Sequence, residues 1–118
     1  MRRLLNAFSN SLRAFRRLLR TEKAFQQEII LLAAALPAGW LLADTWRGYA
    51  LLIGALLLLI VVEVLNTAVE ATCNAVSREF NAEIQLAKDC GSLAVLISIV
   101  LAAGVWLLAV VDRLSAGV

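Results

Sequence analysis

The chain has no histidine, one proline, two cysteines and one methionine in its 118 residues. Without histidine, and with Cys73 and Cys90 outside any CxxC pair, a structural zinc site has no ligand set and a disulfide framework has no basis. Both cysteines read as small helix-packing residues. Neither GxxxxGK[ST] nor GxGxxG occurs. The two familiar nucleotide-binding loops are therefore excluded, and any nucleotide has to be held by helix side chains. Acidic residues are scarce at the start, where residues 1–23 carry seven of the eleven Lys/Arg and only Glu22 against them.

What is present is mostly apolar. Hydrophobic residues make up 62% of the chain, against roughly 45–50% in ordinary soluble domains, and the mean hydropathy is +0.84. A fold of this size exposes too much of its surface to hide so many apolar side chains from water. A bilayer is the natural solvent, and the length allows a single domain over residues 1–118.

The segment "MRRLLNAFSNSLRAFRRLLR" places Leu4, Leu5, Phe8, Leu12, Phe15 and Leu19 on one helical stripe. Arg2, Arg13, Arg16, Arg17 and Arg20 mostly avoid it. This predicts an amphipathic surface helix over residues 1–23, lying in the interface beside anionic headgroups. An unbroken apolar core and a cleavage site of small residues are missing, so a signal peptide does not fit.

Three apolar spans follow, at about 27–44, 46–78 and 86–111. The linker "DTWR" is tight and makes the first two a hairpin. Trp40, Trp46 and Trp106 lie towards one end of their spans, as an aromatic belt would. The arginine-rich start puts the N-terminus in the cytoplasm. Counting crossings leaves "SREFNAEIQLAKD" on the same side and "DTWR" on the other. The expected fold is an all-α membrane protein, one surface helix plus three transmembrane helices. A three-span chain buries little of a polar stripe by itself, so an oligomer is expected.

That polar stripe is the informative feature. "EVLNTAVEATCN", residues 63–74, continues an apolar helix with Glu63, Asn66, Glu70 and Asn74. At about 100° per residue all four fall within an arc of about 80°, and Glu63 and Glu70 are separated by about 10 Å. An ionisable side chain at the centre of a membrane helix costs roughly 2.5–3.5 kcal/mol on insertion scales. Interhelical hydrogen bonding accounts for two asparagines more easily than for two glutamates. The carboxylates need a cation, for which Arg/Lys or a divalent metal would serve, and Mg²⁺ characteristically takes one or two carboxylates plus substrate phosphate oxygens. Glu22 and Glu28 lie ahead of the uncharged core of the first span (29–43), and Lys88 and Asp89 ahead of that of the third (90–111), at the same depth. Acids, a lysine and amides from three segments suit phosphoryl transfer, which needs metal, a cation on the moving phosphate and a carboxylate for the acceptor's proton.

Here the sequence resembles a known family, the small prokaryotic integral-membrane diacylglycerol kinases, which include undecaprenol kinases. "EVLNTAVEATCN" is similar to their signature Glu-x-aliphatic-Asn-Ser/Thr-Ala-aliphatic-Glu-x-x-x-Asp. "AKDCGSLAVLI" is similar to "AKDxGSAAVL", and "TEKAFQQE" to "NEAAFRQE". The resemblance implies a homotrimeric enzyme of the bacterial inner membrane, a phosphotransferase with an alcohol acceptor. It uses Mg-ATP to phosphorylate diacylglycerol at the cytoplasmic interface and so yields phosphatidate. The same resemblance implies Glu63 as general base, Glu22 and Glu70 as metal ligands, and Asn66, Lys88, Asp89 and Arg3 as nucleotide and phosphate ligands. Glu28 matches a further acid. Arg78 is an extra cation near the site, and Asn74 stands where the signature closes on aspartate. The implied partners are ATP, the lipid alcohol, membrane lipids and further copies of the chain, with no nucleic acid. A polyprenol acceptor is the near alternative. A non-catalytic assembly subunit or an ion-conducting oligomer leaves the three-segment convergence unexplained.

Overall fold

Four helices in an unbranched succession account for nearly every residue of the computed structural model, which describes residues 1–116. They are α1 (Arg2–Thr21), α2 (Lys23–Leu42), α3 (Trp46–Val76) and α4 (Ala82–Ala116). The last three are long and apolar enough to cross a membrane. The helices run beyond the apolar stretches, because a helix continues wherever its backbone bonds and caps allow and not where hydropathy falls. Thus α4 starts at Ala82, where Asn81 Oδ1 accepts from the backbone N–H groups of Glu83 at 2.9 Å and Ile84 at 3.3 Å. At the start of α3, Thr45 Oγ1 accepts from the Gly48 N–H at 3.0 Å.

Between α1 and α2 the chain turns at one residue. Glu22 is extended (φ −109°, ψ 108°) and serves both as the end of α1 and the start of α2. Neither glycine nor proline marks the break. Side chains hold it: Phe15 and Phe25 meet edge to face at 5.6 Å, and Gln26 Nε2 donates to the Leu19 carbonyl at 2.7 Å. Leu18 and Phe25 are buried there. The rest of α1 stands away from the bundle, with Leu4, Leu5 and Phe8 exposed.

The bundle core is small. Ala35 of α2, Ala55 and Leu56 of α3 and Ala102 of α4 are buried together, with Leu32, Ile53, Val105 and Trp106 against them. Small side chains let the helices approach closely, which is how apolar spans gain contact energy without a hydrophobic drive from water. Trp106 Nε1 donates to the Leu52 carbonyl at 3.0 Å and so joins α4 to α3. Pro37, inside α2, removes one backbone donor. Two residues on, Gly39 leaves room for the Tyr49 ring, whose hydroxyl donates to the Leu36 carbonyl at 2.9 Å. Large apolar side chains such as Ile30, Leu41, Leu51, Leu93, Ile97, Val100 and Leu108 remain exposed. In water that surface would be costly. On a membrane protein it is the face offered to lipid or to neighbouring chains.

Length then sets the depth of the polar stripe. Trp40, Trp46 and Tyr49 form an aromatic cluster at the hairpin end, with ring centroids 4.9–6.2 Å apart. From Trp46, Glu63 lies about 26 Å and Glu70 about 36 Å along α3. A hydrocarbon core is about 30 Å thick. With the aromatic end at one interface, Glu63 reaches the edge of the other and Glu70 lies in its headgroup region.

Candidate active site

The polar ends of three elements meet at the end of the bundle opposite the aromatic cluster. A cleft of about 380 Å³ lies there between α1 and α3. Arg17, Glu22, Thr67, Glu70, Asn74 and Arg78 line it, with Ala71 and Ala75 as its apolar floor. Glu22 reaches it because the helix breaks at that residue, at the junction of α1 and α2. Glu70 and Asn74 reach it because the helical period puts them on one side, and Thr67 belongs to the same stripe. The carboxylates are half-buried, whereas Arg17 and Arg78 are exposed at the mouth.

Behind the cleft, Asn66 Nδ2 donates to Glu70 Oε1 at 3.3 Å. The amide's oxygen is buried without a hydrogen-bond partner. It lies directly over Gly91 of α4, where an added Cβ would overlap it. Gly91 is therefore the residue that lets a polar side chain fit between two helices. Glu63 is 7% exposed, one of only two buried polar side chains among the described residues. Thr67 Oγ1 donates to the Glu63 backbone carbonyl at 3.0 Å. Glu28 of α2 and Glu63 lie close enough for their charges to interact, and Glu63 feels Glu22 and Glu70 in the same way. One oxygen of Glu28 is buried and unpartnered.

Helix α4 adds a cation. Lys88 Nζ donates to Asn74 Oδ1 at 2.9 Å, so the ammonium is held at the cleft by an uncharged acceptor. Asp89 is exposed and accepts from Gln85 Nε2 at 2.9 Å along its own helix. Arg3 is exposed on the first turn of α1, fourteen residues before Arg17, and is not among the cleft's lining. Of the expected site residues, the fold thus brings Glu22, Glu70, Asn74, Arg78, Asn66 and Lys88 into one contact set. Glu63 and Glu28 sit deeper, and Asp89 and Arg3 stand apart within one chain.

Arg17, Thr67 and Gly91 join this site without having been singled out from the sequence as working residues. Thr67 carried a signal, since the helical period places it beside Glu63 and Glu70. Arg17 was one of several arginines on its helix, and only the break at Glu22 distinguishes it. Among the described residues no group of three or more His, Cys, Asp or Glu forms a metal cage. Two carboxylates in one open cleft nevertheless fit the donor set of Mg²⁺ bound together with substrate phosphates.

The sequence profile described as prokaryotic diacylglycerol kinase matches residues 9–110. A diacylglycerol kinase of Pseudomonas aeruginosa is 39% identical over 107 residues, covering 90% of this chain and 86% of its own. That of Escherichia coli K12 is 37% identical over 105 residues, covering 88% and 85%. A diacylglycerol kinase of Haemophilus influenzae is 31% identical over 103 residues, covering 87% of each. The likeness takes in α1's second half, the cleft and all three apolar helices, and the chain belongs to the prokaryotic diacylglycerol kinase family.

Proposed function

We propose that this chain transfers the γ-phosphoryl group of ATP to the hydroxyl of diacylglycerol at the cytoplasmic face of the bacterial inner membrane. One observation carries the reading. A buried carboxylate, Glu63, lies seven residues along α3 from a half-buried one, Glu70, that lines an open cleft with Glu22. The deep carboxylate is at the level a lipid hydroxyl occupies, and the cleft is at the level of a water-borne triphosphate.

In this reading the lipid oxygen attacks the γ-phosphorus. The new P–O bond forms as the bond to the β-phosphate oxygen breaks, ADP leaves, and the hydroxyl proton passes to the Glu63 carboxylate. Removing the proton as the bond forms is the task of a general base within reach of the hydroxyl. Glu22 and Glu70 would hold Mg²⁺, which when bound neutralises phosphate charge. Lys88 approaches the phosphates from α4, kept extended by Asn74, and Asn66 orients Glu70. Glu28 completes the acidic interior beside Glu63, while Asp89 and Arg3 serve the nucleotide at the rim.

The wider arrangement follows the same logic. Arginines on α1 keep that helix against anionic headgroups with its apolar face in the acyl boundary. They also favour a cytoplasmic N-terminus. The apolar faces left exposed by one chain support a homotrimer, with neighbouring chains against the site.

The test uses purified protein in mixed micelles with ATP, Mg²⁺ and either dioleoylglycerol or undecaprenol. Phosphatidate should form at the higher rate, and Glu63→Gln and Glu70→Gln should each abolish it while the oligomer stays intact. Normal turnover in either variant overturns the assignment.

A further inference from the structure

Arg17 and Arg78 share the cleft with Glu22 and Glu70, yet neither guanidinium pairs with either carboxylate. Among the described residues the one ion pair is Arg113–Asp44, at the far end of the bundle. Flexible guanidinium side chains that served only to neutralise the glutamates would sit on them. Instead two positive and two negative groups line a space of about 380 Å³, far larger than the roughly 30 Å³ share of one water. That is the charge pattern of a site completed by an anion and a cation together: carboxylates for a metal, guanidinium groups for phosphate oxygens.

Their placement adds direction. Arg17 comes from the last turns of α1 and Arg78 from the segment just after α3, so the two approach the cleft from different elements. A planar guanidinium binds two phosphate oxygens at once, which a lysine cannot do. Asn74 lies one helical turn before Arg78 and presents an amide whose oxygen is taken by Lys88. A carboxylate at 74 would compete with phosphate for Arg78. The amide leaves it free.

We infer that Arg17 and Arg78 form a guanidinium clamp on the polyphosphate tail of the nucleotide, one reaching it from the C-terminal end of α1 and the other from just beyond α3. The inference rests on the kinase reading above and adds to it the two residues that select a polyphosphate. It also gives Asn74 a purpose, as the neutral residue that keeps both cations, Arg78 and Lys88, available.

The experiment compares the full-length protein with Arg17→Gln, Arg78→Gln, the double variant and Arg17→Lys, all in mixed micelles. KM is measured separately for ATP and for dioleoylglycerol, together with inhibition by inorganic tripolyphosphate. Each glutamine variant should raise the ATP KM about fivefold to tenfold, and the double variant further still, by less than the product because the two arginines share one ligand. The tripolyphosphate inhibition constant should rise in proportion, with the lipid KM unmoved. Arg17→Lys should fall between, and it also guards against misfolding of the glutamine variant. An ATP KM within twofold of the parent in the double variant overturns the clamp, as does a rise confined to the lipid KM, which would assign these arginines to headgroups. A parent protein that phosphorylates neither lipid overturns the kinase reading instead. The clamp is then judged by calorimetric binding of tripolyphosphate alone: weakened binding in the glutamine variants upholds it, and equal binding ends it.

Discussion

Lys88 and Asn74, fourteen residues apart in sequence, are joined by a 2.9 Å hydrogen bond from the ammonium to the amide oxygen. The bond ties α4 to α3 at the mouth of the acidic cleft. It fixes the position of a lysine without cancelling its charge, which a carboxylate at the same place would do.

Two substitutions at this position should therefore part company. Asn74→Asp turns a hydrogen bond charged on the donor side alone into an ion pair charged on both sides. The midpoint of thermal inactivation in detergent should rise, by the equivalent of about 1 kcal/mol, while the ATP KM increases because Lys88 and Arg78 are partly occupied. Asn74→Ala releases Lys88, and kcat should drop about tenfold, since small misplacements of a catalytic group are costly. Identical kinetics and identical inactivation midpoints in the two variants would show that the bond has no part in the chemistry.

Gly91 and Asn66 make a second link between the same helices. A methyl group at 91 would overlap Asn66 Oδ1 and come within 3.1 Å of Asn66 Cγ. Asn66 would have to swing away, releasing its bond to Glu70. Overpacking of this kind costs about 1–3 kcal/mol. For Gly91→Ala the expected result is a fall in kcat of about tenfold or more with the oligomer retained. Combining it with Asn66→Ala removes the clash, so the double variant should recover stability but not activity. Full activity in Gly91→Ala would mean that Asn66 does not orient Glu70.

Much of this site was legible in the sequence because helical periodicity is a local rule. Glu63, Asn66, Glu70 and Asn74 share a face whatever surrounds them, and hydropathy marked three apolar helices independently of their packing. The boundary between surface helix and first span was legible to within a few residues, but the turn at the single residue Glu22 was not, since no glycine or proline marks it and the Phe15–Phe25 contact that holds it is tertiary. For that reason Arg17 could not be told from Arg13 or Arg16. The partners of Lys88 and Trp106 were hidden likewise, because both bonds depend on how far α4 slides along α3. The start of α4 at Ala82 does have a sequence signal, the Asn81 cap, but one polar side chain in a polar loop is weak against the larger hydropathy change downstream.

Glu22 supplies one of the two carboxylates of the cleft, and its removal should appear in the magnesium dependence. With Glu22→Gln, half-saturation by Mg²⁺ should move to about tenfold higher concentration, because one anionic oxygen donor of two is lost. Rate at high magnesium should recover in part. Substituting Glu83, which lies on α4 outside the cleft's lining, should leave the magnesium curve where it was. A curve unchanged in Glu22→Gln would remove that residue from the metal site.

Trp106 tests the bundle apart from its chemistry. Its indole N–H donates to the Leu52 carbonyl at 3.0 Å, and Trp106 lies about 22 Å along α4 from Gly91. Phenylalanine keeps most of the ring's packing and loses the donor. Leu52 lies within α3, so its carbonyl still has a helical backbone partner available and no acceptor is stranded. The cost should therefore be modest, about 1 kcal/mol, as interhelical hydrogen bonds in membranes generally are. Trp106→Ala also empties the space between Ala35, Ala55 and Ala102 and should cost about 3–5 kcal/mol. Reversible unfolding in mixed micelles measures both, with kcat and both KM values of the phenylalanine variant expected to match the parent. If phenylalanine were as destabilising as alanine, the donor and not the ring would be what joins α4 to α3.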